Sequence, residues 1–169
     1  MLANTNSGLY KTLLVLHILT AIVGLGAVML NGIYASQAAR RSGSQRRAVS
    51  EANFFVSSIG EYFIYAIPIF GILLVLASDK AWKFSQTWIW LALTVYVVAI
   101  GISHAIMIPG HKRLNALFAE MEDGPASAPD SPQALEVDAI GKKLAVGGMI
   151  LNLAVVVFLV LMIWKPGVG

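Results

Sequence analysis

Few side chains in this sequence are placed where they could do chemistry. They are three histidines (His17, His104 and His111), one carboxylate set deep in an apolar run (Glu61), and two asparagines in similar settings (Asn31 and Asn152). The chain has no cysteine, which excludes disulfides, thiolate metal sites, thioether-linked haem and cysteine nucleophiles. An ionised carboxylate inside a bilayer costs about 3 kcal/mol even on insertion scales. Glu61 must therefore be protonated, paired, or turned toward a polar cavity. Imidazole is the natural partner, since it can take up a proton, donate one, or bind iron.

The elements that must carry these groups are apolar. Hydrophobic residues make up 57% of the 169-residue chain and charged residues only 12%, about half the charged share of a soluble domain. Lipid must cover such a surface. Four segments, 12–39, 53–78, 87–109 and 143–164, each reach the roughly 20 residues that a hydrocarbon core requires, and in lipid each must be helical. The fold class expected is all-α: a single transmembrane domain, an antiparallel four-helix bundle with both termini on the outer side. The first segment reads as a retained span, because it is too long for a signal peptide and arginines follow it.

Charge sets the orientation. The first connection, 40–47, holds four arginines (Arg40, Arg41, Arg46 and Arg47), and the third is flanked by Lys112, Arg113, Lys142 and Lys143. The opposite side carries Lys11, Lys80, Lys83 and Lys165. The excess puts the first and third connections in the cytoplasm. Trp82, Trp88, Trp90 and Trp164 gather toward the other side as an interfacial belt. Residues 122–139, rich in Pro, Ser and Asp, read as a flexible cytoplasmic linker, and His111, after Pro109 and Gly110, as a solvated loop residue.

Each span has a stripe of small or polar residues. On the first, His17, Gly24 and Asn31 recur every seven residues. The second carries Ser57 or Ser58, Glu61, Tyr65 and Pro68 on one side; the third Thr94, Gly101 and His104; the fourth Gly141, Ala145, Gly148 and Asn152. Such stripes are helix-packing seams first of all. Counting residues from the basic side puts Glu61 about 10 Å deep, with His104, Asn31 and Asn152 in the same half. These four are the expected intramembrane polar cluster. His17 sits near the outer surface, so one haem held between His17 and His104 is not expected. His17 is either a hydrogen-bonded structural residue or a haem or metal ligand, in a haem with a weak or absent second ligand.

Phosphate-cradling loops, serine triads and HExxH motifs are absent, no metal site is expected, and the basic residues lack the aromatic-interleaved surface of a nucleic-acid binder.

The first span, with Leu16-His17, then Ala21, Gly24 and Gly26, resembles the opening helix of the CopD-like superfamily of bacterial integral membrane proteins. The four-span layout with an arginine-rich first connection is most similar to an uncharacterised predicted integral membrane family within it, distantly HemJ-like. The resemblance implies a four-helix bundle in the bacterial cytoplasmic membrane, with His17 as the residue associated with haem b. The functions to weigh are a bundle that binds haem b or another small ligand, a non-catalytic accessory or assembly subunit, and a small proton-coupled transporter using Glu61 and His104. The partners expected are the lipid bilayer and, beyond it, other membrane subunits or further copies of the chain.

Overall fold

The computed structural model describes residues 5–123 and 131–167. Among them there is no strand. Helix α1 spans Gly8–Ala39, α2 Gly43–Leu76, α3 Thr87–Ile102, α4 Ile108–Asp123 and α5 Pro132–Trp164, with a π-helical turn, Ser103–Met107, between α3 and α4. The turn joins α3 and α4 into one rod, so four helical rods of 32 to 35 residues are long and apolar enough to cross a membrane. At about 1.5 Å per residue each exceeds the roughly 30 Å hydrocarbon layer, and the ends project from it. Side chains such as Ile22, Phe55, Val97, Met149 and Ile163 are mostly exposed on the bundle, as a lipid-facing surface requires.

The α1–α2 hairpin is the tightest unit. A β-carbon on Gly24 would come 2.9 Å from Ile64 Cγ1 and 3.0 Å from its backbone nitrogen, and one on Gly60 would meet Ala27 at 2.5 Å. Only glycine lets the two backbones lie this close. The stripe of His17, Gly24 and Asn31 accordingly faces α2 along its whole length.

On α5 the seam differs from the expected one. Gly141 and Gly148 have open space beside them, whereas Gly147 meets Met107 of the π-turn, and Leu144, Leu151 and Val155 are buried. Large apolar side chains chose this face, and the stripe of Gly141, Ala145, Gly148 and Asn152 lies beside the contact. The expected linker is also shorter than 122–139. Ser131 caps α5 by accepting from the Ala134 N–H (3.2 Å), and Pro132 opens it, a pairing that favours a helix start. Residues 124–130, the centre of that linker, lie outside the described residues.

The rod ends on the side of the termini are clamped by aromatic side chains. The Trp82 indole N–H donates to the Tyr10 hydroxyl (2.9 Å), Trp82 meets Trp88 edge-on at 5.6 Å, and the Lys165 ammonium lies 4.1 Å from the Trp82 ring centroid. Of the four tryptophans, Trp90 and Trp164 face outward as a belt would, while Trp88 is buried.

Packing joins α1 to α2, α1 to α5, α3 to α5, and α2 to α4 at the basic end, but little joins α2 to α3. A cleft of about 1010 Å³ lies inside this open ring.

Candidate functional site

Glu61, Tyr65 and His104 meet on the wall of this cleft. Glu61 and Tyr65 are one helical turn apart on α2, the spacing that puts two side chains on one face. The Tyr65 hydroxyl is hydrogen-bonded to Glu61 Oε1 and lies 2.9 Å from His104 Nε2. Glu61 Oε1 and His104 Nε2 are themselves 3.4 Å apart. His104 reaches them from the π-turn, where the Ile108 N–H bonds the Ser103 carbonyl five residues back. Pro109, which has no N–H to give the carbonyl of Ala105, follows directly and accounts for the break in the ordinary ladder.

The hydrogen bonds dictate how protons are arranged. His104 Nδ1 faces the Ile100 carbonyl at 3.0 Å, and a carbonyl only accepts, so Nδ1 carries a hydrogen. Nε2 is then an acceptor in the neutral ring or a donor in the cation. If it accepts, Tyr65 donates to it and Glu61, as a carboxylic acid, donates to Tyr65. If it donates, Tyr65 gives its single hydrogen to an ionised Glu61. Both arrangements hold the same number of protons and are neutral overall, which is what a low-dielectric setting favours. They differ by one proton moved from carboxyl to imidazole through the phenol. The side chains of Glu61 and His104 remain 25% and 49% exposed toward the cleft and its opening, so the site is accessible to a ligand there.

His17 lies farther out. Its Nδ1 donates to the Ile67 carbonyl (3.0 Å), and a β-carbon on Gly71 would stand 3.3 Å from His17 Cε1. The ring thus sits in a notch that Gly71 leaves open, with its other nitrogen turned away from that bond. His17 meets α2 at Ile67 and Gly71, and His104 meets it at Glu61 and Tyr65. These levels are about six residues, or 9 Å, apart along the axis.

Of the expected four-residue cluster, only Glu61 and His104 come together. The Asn31 amide oxygen accepts from Ser57 at 2.7 Å in the α1–α2 seam. The Asn152 amide donates to Gly148 of its own helix at 3.0 Å, because α5 packs through the neighbouring face. His111 also differs from expectation. It is not in a solvated loop: α4 runs through Pro109 and Gly110, and His111 is buried. Proline is tolerated in a helix's first turn, and the seven-residue spacing from His104 was the available signal. Tyr65 was legible as a neighbour of Glu61 but not as the bridge. Among the described residues no three His, Asp or Glu side chains form a metal-binding group.

A family model described as a predicted integral membrane protein (DUF2269) matches residues 11–166. The chain belongs to this family. The DUF2269 region takes in nearly all of the four rods and every residue of the site. No curated protein and no solved structure matches the chain.

Proposed function

We propose that this DUF2269 protein is a small proton-coupled transporter of the bacterial cytoplasmic membrane, taking a membrane-soluble small molecule into the cleft and exchanging a proton with it at Glu61–Tyr65–His104. The hydrogen-bonded contact between a carboxyl, a phenol and an imidazole from two different rods carries this reading. A packing role would need no acid there, and an acid in lipid is costly unless it is used. The gap between α2 and α3 supports lateral access from the bilayer. Two measurements test it. Infrared difference spectra of the protein in lipid, taken across a pH titration, are expected to contain a carboxyl C=O band that Glu61→Gln removes. Proteoliposomes with an internal pH dye are expected to lose protein-dependent proton movement in the same variant. If Glu61→Gln alters neither signal, the reading fails.

A second reading rests on His17. The Nδ1 bond to Ile67 orients the imidazole as the outer-shell partner of a metal-ligating histidine does, leaving Nε2 for iron, and the cleft has room for a macrocycle. The residues fit a haem b with His17 as its protein ligand, which would supply a one-electron couple. His104 does not fit as a second ligand, because Tyr65 occupies its Nε2 and it lies at another level. An absorption spectrum of the purified protein, with a Soret band lost in His17→Ala, is the expected result; a colourless protein purified from haem-replete cells counts against it.

A further inference from the structure

The cleft continues past Glu61 toward the basic side, where Ser57, Ser58, His111 and Lys112 line it together with the apolar Phe54, Met107 and Ile108. His111 lines it and is only 8% exposed, and among the described residues neither ring nitrogen has a hydrogen-bond partner. Asn53, on α2, is 4% exposed, and its Oδ1 is likewise without one. The register brings the two to one level. Ser50 bonds Asn115 and Glu61 pairs with His104, so α2 climbs eleven residues as the facing rod descends eleven. His111 therefore falls opposite position 54, next to Asn53. An imidazole always carries at least one N–H, and a buried donor left unbonded costs about 1–3 kcal/mol. Buried polar groups are almost always satisfied by protein or by ordered water.

We propose that His111 seats a file of ordered water that connects the basic side of the membrane to Glu61. This rests on the proposed proton-exchanging role and adds the side from which its proton comes. His111 and His104 are seven residues apart on one rod, about 10 Å along the axis. Between them the cleft presents the hydroxyls of Ser57 and Ser58, and Lys112 stands at its mouth. Ser58 donates to the Phe54 carbonyl at 2.8 Å, leaving its oxygen lone pairs to accept from water. Polar groups of this kind, set in a cleft with room beside them, are what hold water in a protein interior.

Few charged groups compete at this level. α2 presents Phe54 and Ser57 below Glu61, with Arg46 stacked over Phe118 (5.5 Å) and Arg47 paired with Glu51 farther down. α5 places Leu144 against Gly110, and α1 contributes Asn31. Lys112 is the cation that lines the cleft at this end. A proton arriving from that side is accepted by the bare ring nitrogen of His111, which releases the hydrogen on its other nitrogen into the water file.

The absence of native cysteine gives a direct test. Single-cysteine proteins in sealed vesicles are treated from the basic side with a small, charged, membrane-impermeant thiol reagent. Lys112→Cys serves as the accessible reference and lipid-facing Val97→Cys as the inaccessible one. Ser58→Cys is expected to react well above the Val97→Cys rate. Adding His111→Phe should slow the reaction by at least an order of magnitude, whereas His111→Gln, which keeps a polar group, should not. Reaction of Ser58→Cys no faster than Val97→Cys overturns the proposal, as does equal labelling with Phe at 111. If the Phe variant does not fold, the Ser58–Val97 comparison still decides. A Glu61 carboxyl band in the infrared with no labelling would sink the water file alone; loss of the band would sink the proton-exchange reading itself.

Discussion

The Tyr65 hydroxyl stands 2.9 Å from His104 Nε2 while bonding Glu61 on its other side, so a single phenol joins an acid on α2 to a base on the π-turn. This is a contact across the otherwise open side of the bundle, and it couples the chemistry of the site to the position of the two rods.

Removing that hydroxyl separates relay from proximity. In Tyr65→Phe, Glu61 and His104 can still pair directly, as their 3.4 Å separation allows. The variant should therefore fold, losing about 1–3 kcal/mol for the partners left underbonded. Its Glu61 infrared band should shift in frequency rather than vanish, and proton movement in proteoliposomes should slow. A band at the wild-type position would mean that the phenol does not contact the acid.

The hairpin seam gives a prediction with an internal control. Gly60→Ala places a methyl 2.5 Å from the Ala27 β-carbon and should cost about 1–3 kcal/mol as the helices are forced apart. Gly26→Ala, on α1 with nothing within 4 Å of the new carbon, should be neutral or slightly stabilising. Thermal unfolding in one detergent ranks the two; equal midpoints would contradict the close approach.

Asn31 and Asn152 should respond differently, although they look alike in the sequence. Asn31→Leu deprives Ser57 of an acceptor inside a packed seam and should lower stability by about 1 kcal/mol. Asn152→Leu loses a bond to its own helix only and should leave both stability and the Glu61 signal in place. A shift of the Glu61 band in Asn152→Leu would show that the two groups meet after all.

At the end that carries the termini, Tyr10→Phe removes the acceptor for the Trp82 indole N–H. A loss of about 1 kcal/mol is expected, with a change in tryptophan emission because Trp82 also packs on Trp88. Unaltered emission would count against the clamp.

These contrasts show how much of the fold and site was legible from residue order alone. Span number and the partner face of α1 were readable because burying glycine, histidine and asparagine at sevenfold spacing leaves little choice of neighbour. Glu61 and His104 were readable as a pair because depth and the cost of an acid in lipid restrict its partners. The α5 seam was not, since Gly147 and Gly148 are one residue apart and the choice between them depends on how Leu144 and Leu151 pack against α4 and the π-turn. His111 reads as a loop residue because Pro109-Gly110 signals a break in water, while a first-turn proline lets the rod continue. The tryptophans looked like one belt, yet Trp82 and Trp88 spend their surface on each other and on Lys165.

On the proposed transport role, the gap between α2 and α3 changes what concentration means for this protein. A ligand that reaches the cleft through that gap is drawn from the hydrocarbon phase, where an apolar molecule accumulates far above its aqueous level. Occupancy then follows the mole fraction of ligand in lipid, so an apparent affinity will drift with the amount of lipid or detergent in the sample. Two molecules with the same fit will differ in potency by their partition coefficients.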